Sequence, residues 1–86
     1  MKEASVTLKN EDGLHARAAA LFVRRANQFS SDITLTSRGE EVNGKSIIGI
    51  MSLGIFSGQE ITISAEGSDE DAAIIDLTDL IENEMK

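Results

Sequence analysis

The sequence contains no cysteine and only one histidine, His15, among its 86 residues. The lack of cysteine excludes disulfide bonds, zinc ribbons and thiol catalysis, and a single histidine disfavours a zinc or copper site made of protein ligands. No apolar run reaches the roughly 18 residues of a membrane-spanning helix, and the N-terminus lacks the apolar core of a signal peptide. We therefore expect a cytoplasmic chain that uses no membrane, metal or other cofactor.

Positive charge is also scarce. The formal net charge is −7, which argues against a nucleic-acid partner. The acids are unevenly distributed: residues 67–86 hold seven acids and one lysine, whereas residues 1–66 hold eight acids and seven bases. Arg17, Arg24 and Arg25 follow one another with no acid between them. This locally basic region fits a phosphate or an acidic partner surface. An ordinary solvated helix face is the alternative, and it applies to Arg25 more than to Arg17.

His15 lies where a loop is expected to become a helix. The sequence Gly13-Leu14-His15-Ala16-Arg17 leads into a run rich in alanine and leucine, which predicts a helix over about 16–28. The first N–H groups of a helix have no intrahelical partner and, with the helix dipole, attract anions. An imidazole at that place, with Arg17 close by, suggests a residue that accepts and holds a phosphoryl group. The alternative is a histidine that only caps the helix or belongs to the loop.

Apolar and polar residues alternate in several stretches, a pattern typical of half-buried strands. The predicted strands are 4–9, 33–37, 40–43 and 60–66, with a hairpin turn at Arg38-Gly39 between the second and the third. A last helix is predicted from a capping box at Ser68 and Asp71 to about Asn83. The order βαββαβα predicts one domain over residues 1–86, of the α+β class, in which helices cover one side of an antiparallel sheet.

A short second helix is predicted between Ser46, a good N-cap, and Gly54, which suits the position just past a helix end. Its apolar residues are more numerous than one buried stripe of a short helix can hide: Ile47, Ile48, Ile50 and Met51. We therefore expect at least one or two of Ile47, Ile48 and Met51 to be exposed in a partner surface. The alternative is that all of them belong to the core.

Two separated motifs resemble one known family. They are Gly13-Leu14-His15-Ala16-Arg17 with the alanine-rich run behind it, and Asn43-Gly44-Lys45-Ser46-Ile47-Ile48-Gly49-Ile50-Met51. With the chain length and the element order, they make the chain similar to HPr, the histidine-containing phosphocarrier family of the bacterial phosphoenolpyruvate:sugar phosphotransferase system. The resemblance covers nearly the whole chain. It implies an open-faced β-sandwich, with a four-stranded antiparallel sheet of order 1-4-2-3 and three helices on one face.

The resemblance also implies roles for individual residues. His15 would be phosphorylated on Nδ1 by enzyme I and would pass the group to sugar-specific IIA domains, with Arg17 screening the phosphate charge. Ser46 would be a regulatory site for the ATP-dependent HPr kinase/phosphorylase, or else only an N-cap. Such a protein is a phosphoryl relay, not an enzyme, and we expect a monomer. The docking surface for enzyme I and the IIA domains would comprise Ala16, Ala20, Leu21, Arg24, Ile47, Ile48 and Met51.

The chain departs from the family's pattern at Ala18, where the family usually has proline. Proline suits a first helical turn because its φ is preset and its missing N–H is not needed there; alanine adds an N–H donor near the phosphate. Two other functions stay open. One is an HPr-like regulatory paralogue, from a nitrogen-related branch or acting as a transcription co-effector, and the other is a docking module without phosphotransfer. His15 argues against the second, because docking alone does not require a histidine.

Overall fold

The computed structural model describes residues 1–9, 11 and 13–84. In chain order the elements are β1 (Lys2–Thr7), α1 (Ala16–Ala26), β2 (Asp32–Ser37), β3 (Glu40–Asn43), α2 (Ile47–Ser52), β4 (Glu60–Glu66) and α3 (Glu70–Asp79). A π-helical turn over Leu80–Glu84 continues α3. This is the predicted βαββαβα order, although α1 is helical only to Ala26, short of the predicted residue 28. Within the predicted loop 10–13, Asn10 and Asp12 lie outside the described residues.

The four strands form one antiparallel sheet of order β1-β4-β2-β3. Val6 is opposite Ile61 in the pairing of β1 with β4, and Leu35 is opposite Ile63 in the pairing of β2 with β4. The apolar residues, which occupy every second position of each strand, therefore lie on the same face of the sheet. The other face is polar; there the hydroxyl groups of Ser5 and Thr62 lie 2.9 Å apart. The α+β class and the sheet order 1-4-2-3 are therefore confirmed.

The core lies between the inner face of the sheet and the helices. The sheet contributes the buried residues Val6, Ile33, Leu35, Ile61, Ile63 and Ala65. The helical layer contributes Ala19, Phe22, Val23, Ala26, Ile50, Ala73, Ile74, Leu77, Leu80 and Ile81. Burial of one leucine, isoleucine or phenylalanine side chain stabilises the fold by about 1.5–3 kcal/mol. The buried apolar residues of α1 and α3 therefore hold these two helices on the sheet.

The start of α3 differs from the predicted capping box of Ser68 and Asp71. The N-cap residue is Asp69, and its side chain makes no capping bond. Its carboxylate instead accepts hydrogen bonds from the Ser30 N–H at 2.9 Å, from the Ser31 N–H at 3.0 Å and from the Ser31 hydroxyl. The prediction was wrong because Ser31 is buried, and its polar groups require a partner within the protein.

The bonds that Asp69 accepts also stabilise its ionised form. The hydroxyl of Ser31 contributes most, followed by the backbone N–H of Ser30, and together they lower the pKa of the Asp69 carboxyl to about 2. Glu70 takes a related role at the same helix end. Its carboxylate accepts the Gly67 N–H at 3.2 Å, which lowers the pKa of Glu70.

Candidate functional site

His15 is the N-cap residue of α1. Its backbone is extended, with φ −81° and ψ −176°, and its Nδ1 accepts the N–H of Arg17 at 3.2 Å. An N-cap side chain commonly satisfies one of the unpaired N–H groups of the first turn in this way. Because Nδ1 accepts, the proton of the neutral ring is on Nε2. The ring is exposed to solvent, so its Nδ1 lone pair lies at the open start of a helix.

The loop before His15 is held in place by the segment that follows α2. Gly13 is buried, with a φ of +67°, and a Cβ there would overlap the carbonyl oxygen of Ile55 and lie 3.0 Å from the Cα of Phe56. Leu14 is also buried, and its N–H donates to the Ile55 carbonyl at 3.0 Å. Only glycine fits this approach without strain. The backbone that leads into His15 is therefore held in place by contacts with the segment after α2.

The three arginines of α1 have different environments. Arg25 donates from Nε to Asp76 at 2.9 Å and from Nη1 to Glu84 at 3.1 Å, and these bonds raise the pKa of Arg25. Arg17 and Arg24 are exposed, and their side chains make no ion pair or hydrogen bond with the part of the chain that the structure describes. Arg25 therefore joins α1 to α3, whereas Arg17 and Arg24 are available to another molecule.

Ser46 is the N-cap residue of α2, as predicted. Its Oγ accepts the N–H of Gly49 at 3.0 Å, and the side chain is half-buried. Neighbouring bonds fix the approach to the helix: the Gly44 N–H donates to the Ile33 carbonyl at 2.7 Å, and Lys45 Nζ donates to the Phe29 carbonyl at 2.8 Å. The hydroxyl of Ser46 thus lies at a defined helix start.

Most of the large apolar side chains of α2 are exposed to solvent. Ile50 is fully buried, whereas Ile48 is 83% exposed, Met51 46% and Ile47 40%. The expectation that at least one or two of these residues would be exposed is confirmed, and all three are. Helices α1 and α2 pack against each other. On α1, the residues predicted for docking are exposed (Ala16 and Arg24) or half-buried (Ala20 and Leu21).

One further exposed apolar residue belongs to this region and had no predicted role. Phe56 is 66% exposed, and its Cα lies beside Gly13, in the loop that leads to His15. A single phenylalanine outside the regular elements produces no periodic pattern, and this is why the sequence gives little sign of its exposure. The available signal was an aromatic residue within the glycine-rich segment 54–58.

Within residues 1–9, 11 and 13–84, no group of three or more histidine or acidic side chains is placed to hold a metal ion. None of the described helices has the length and apolar character needed to cross a membrane.

Comparison with known proteins gives one consistent result. Residues 2–83 match the family model PTS-HPr, the PTS HPr component phosphorylation site. The chain is 50% identical over 84 residues to the HPr-like protein Crh of Halalkalibacterium halodurans, covering 98% of this chain and 100% of that protein. It superimposes with a TM-score of 0.95 on HPr-C-His from Thermoanaerobacter tengcongensis, at 53% identity and with 99% of this chain and 96% of the other covered.

A second similar structure is a dimer. The Bacillus subtilis catabolite repression protein Crh, described as a dimer with a swapped domain, matches with a TM-score of 0.79 at 43% identity. The match covers 100% of this chain and 99% of that one. Similar structures therefore include an assembly in which one domain is exchanged between two copies.

Proposed function

The chain belongs to the HPr family, and we propose on that premise that it accepts a phosphoryl group on His15 from phospho-enzyme I and passes it to sugar-specific IIA domains. The observation that carries this proposal is the exposed His15, whose imidazole Nδ1 accepts the Arg17 N–H in the first turn of α1. The protein would take up one phosphoryl group and release it again to each acceptor. It would be a relay, with no catalytic turnover of its own.

The chemistry requires little beyond position and charge. Nδ1 of His15 attacks the phosphorus of the donor phosphohistidine; a new N–P bond forms while the bond to the donor imidazole breaks, and that imidazole leaves with the electron pair. The three phosphoryl oxygens need donors. The Arg17 N–H is released from Nδ1 when that atom becomes phosphorylated, and the Arg17 guanidinium adds a flexible set of charged donors.

Ala18 would add a donor to the same site. It is in the first turn of α1, where N–H groups have no carbonyl partner within the helix, and the N–H of Ala19 already donates to the His15 carbonyl at 2.8 Å. The helix dipole favours the negative charge of a phosphate at this end. An alanine at this position therefore supports phosphate binding and gives up some of the rigidity of proline.

Ser46 is proposed as a regulatory phosphorylation site. A phosphate on its Oγ would add roughly −1.5 to −2 charges at the N-terminus of a helix, where the fold tolerates it. The new charge would lie next to the exposed Ile47 and Ile48 and would repel an acidic partner. The fold would change little while the docking surface would change its charge, which is the arrangement needed for regulation without unfolding.

The docking surface proposed for enzyme I and the IIA domains combines apolar and basic character. Its exposed apolar centre is on α2, while Arg17 and Arg24 on α1 have no ion-pair partner among the described residues. Neither α1 nor α2 contains an acid. The surface therefore suits a partner with an acidic rim around an apolar centre.

A regulatory paralogue is the second candidate function, favoured by the curated relative of the HPr-like Crh type. The same His15 or Ser46 would then control a different partner, in the manner of a co-effector. We propose a monomer as the working state, and the swapped dimer of the similar Crh structure is the alternative that a size measurement would detect. A docking module without phosphotransfer leaves the exposed His15 without a use.

The deciding experiment is incubation of the protein with phosphoenolpyruvate and enzyme I, followed by mass spectrometry and an acid-lability test. We expect one acid-labile phosphate on the wild type and none on His15→Ala. Ser46→Ala is the matched control and should retain the phosphate. A wild-type protein that gains no phosphate under conditions that phosphorylate another HPr would contradict the relay and favour the regulatory paralogue.

A further inference from the structure

Phe56 is an aromatic residue whose side chain is exposed to solvent. The chain has three phenylalanines and no tyrosine or tryptophan; Phe22 is fully buried and Phe29 is half-buried, whereas Phe56 is 66% exposed. Aromatic residues, phenylalanine included, are enriched in the buried centres of protein–protein interfaces, where they bury a large apolar area. The value of Phe56 in binding depends on how firmly its backbone is held and on which residues lie around it.

The backbone of Phe56 is fixed on both sides. Its N–H donates to the side chain of Gln59 at 2.5 Å, and its carbonyl accepts the Gln59 N–H at 3.2 Å. The turn is tied to the end of β1, since the Leu8 N–H donates to the Gln59 carbonyl at 2.9 Å and the Gly58 N–H to the Leu8 carbonyl at 2.8 Å. A partner that binds Phe56 would therefore meet a prearranged backbone and would lose little conformational entropy in ordering it.

The same segment borders the proposed phosphorylation site. A Cβ on Gly13 would lie 3.0 Å from the Phe56 Cα, and Leu14 donates to Ile55. Phe56 thus stands beside the loop that holds His15, and it also follows the exposed apolar face of α2 by a few residues. It connects the α2 part of the docking surface with the histidine loop. Any protein that brings a group within bonding distance of the His15 Nδ1 must approach this loop.

We propose that Phe56 is an anchor residue for the phosphoryl donor, a protein with an acidic rim and an apolar pocket, and that it extends the docking surface from α2 to the histidine loop. The charges support this partner: the helices at the site contain no acid, and Arg17 and Arg24 are unpaired among the described residues. The inference rests on the proposed function and deepens it. Phe56 touches no reacting atom, so it acts in docking and not in the transfer step.

The test compares Phe56→Ala with Ile75→Ala in steady-state phosphorylation by enzyme I. Ile75 is 70% exposed but is on α3, which is not one of the two helices of the proposed docking surface, and is therefore the matched control for loss of an exposed apolar side chain. We expect Phe56→Ala to raise the KM of enzyme I for this protein about tenfold with kcat nearly unchanged. Ile75→Ala should remain within about twofold of the wild type. Phe56→Leu, which keeps an apolar side chain, should recover part of the loss.

Several results separate the possibilities. A KM for Phe56→Ala equal to that of Ile75→Ala, with the wild type phosphorylated normally, overturns the inference and leaves the proposed function intact. No phosphorylation of the wild type overturns both. An unchanged KM together with a concentration-dependent dimer that Phe56→Ala abolishes would show that a second copy covers Phe56, and this also overturns the proposal. Equal melting temperatures of the variants exclude misfolding as the cause of a raised KM.

Discussion

The two ends of α1 contain similar polar groups, but those at the C-terminal end are bonded within the chain whereas those at the N-terminal end are exposed. At the C-terminal end the groups have partners inside the chain: Arg25 is bonded to Asp76 and Glu84, and the turn after the helix donates to the carboxylate of Asp69. These bonds connect distant parts of the sequence, since Asp69 is 38 residues from Ser31. Their effect is to hold α1 against α3.

At the N-terminal end of α1 the polar groups remain open. His15 and Arg17 are exposed, and the side-chain bond between them is the long 3.2 Å contact from the Arg17 N–H to Nδ1. A neutral hydrogen bond at the long end of the usual range is readily exchanged for another partner. Groups that are satisfied within the chain contribute to stability, and groups left open are available for binding and chemistry. Substitutions at the two ends should therefore affect different measurements.

The largest predicted effect on stability comes from Asp69→Asn, near the C-terminal end of α1. Asparagine has one acceptor oxygen where aspartate has two, and its NH₂ would face the N–H of Ser30 or Ser31. A buried polar group would then lose its partner. We expect the Tm to fall by about 5 °C or more while His15 is phosphorylated at the wild-type rate. Asp32→Asn, at an exposed acid with no side-chain bond among the described residues, is the control and should change the Tm little.

The same carboxylate predicts an acid-dependent loss of stability. The pKa of Asp69 is about 2 in the folded protein and about 3.9 in an unfolded chain. A lowered pKa means that the stabilisation is fully present above the unfolded value and is lost as the pH falls from about 4 to about 2. The Tm of the wild type should therefore decrease through this range more steeply than that of Asp69→Asn. Parallel curves for the two proteins would show that Asp69 is not the group responsible.

A smaller effect on stability, and a larger one on transfer, is expected at Ser46. Ser46→Ala removes the bond to the Gly49 N–H and should cost about 1 kcal/mol of stability, whereas Ser46→Asp keeps a capping acceptor and adds a negative charge. We expect Ser46→Asp to be the more stable variant but the slower substrate of enzyme I. Equal rates of phosphorylation for the two would refute a regulatory role and leave Ser46 as an N-cap only.

Local patterns in the sequence predicted most of the fold, and their failures have a common cause. The element order, the sheet order and the N-cap at Ser46 follow from alternation, helix signals and the family resemblance, and all were confirmed. The capping box at Ser68 was wrong because the partner of Asp69 is the distant Ser31. The exposure of Phe56 was likewise missed, since it depends on how the 56–59 turn meets the Gly13 loop. At the site, the helix start at His15 was predictable from the alanine-rich run, whereas the partners of Arg25 were not.

The smallest effect on stability is predicted for Ala18→Pro. This substitution also tests the chemistry at the N-terminal end of α1. Proline restricts the unfolded chain and should raise stability by a few tenths to about 1 kcal/mol if the first turn accepts it. The substitution also removes the Ala18 N–H, one of the donors proposed for the phosphoryl oxygens. We therefore expect a slightly higher Tm together with faster hydrolysis of the phosphohistidine, measured as loss of the acid-labile phosphate at neutral pH. Ala18→Gly, which keeps the backbone N–H at the same position, is the control. A phosphohistidine in Ala18→Pro as long-lived as in the wild type would show that the Ala18 N–H is not a phosphate donor, and Arg17 would then be the main group that stabilises the phosphate.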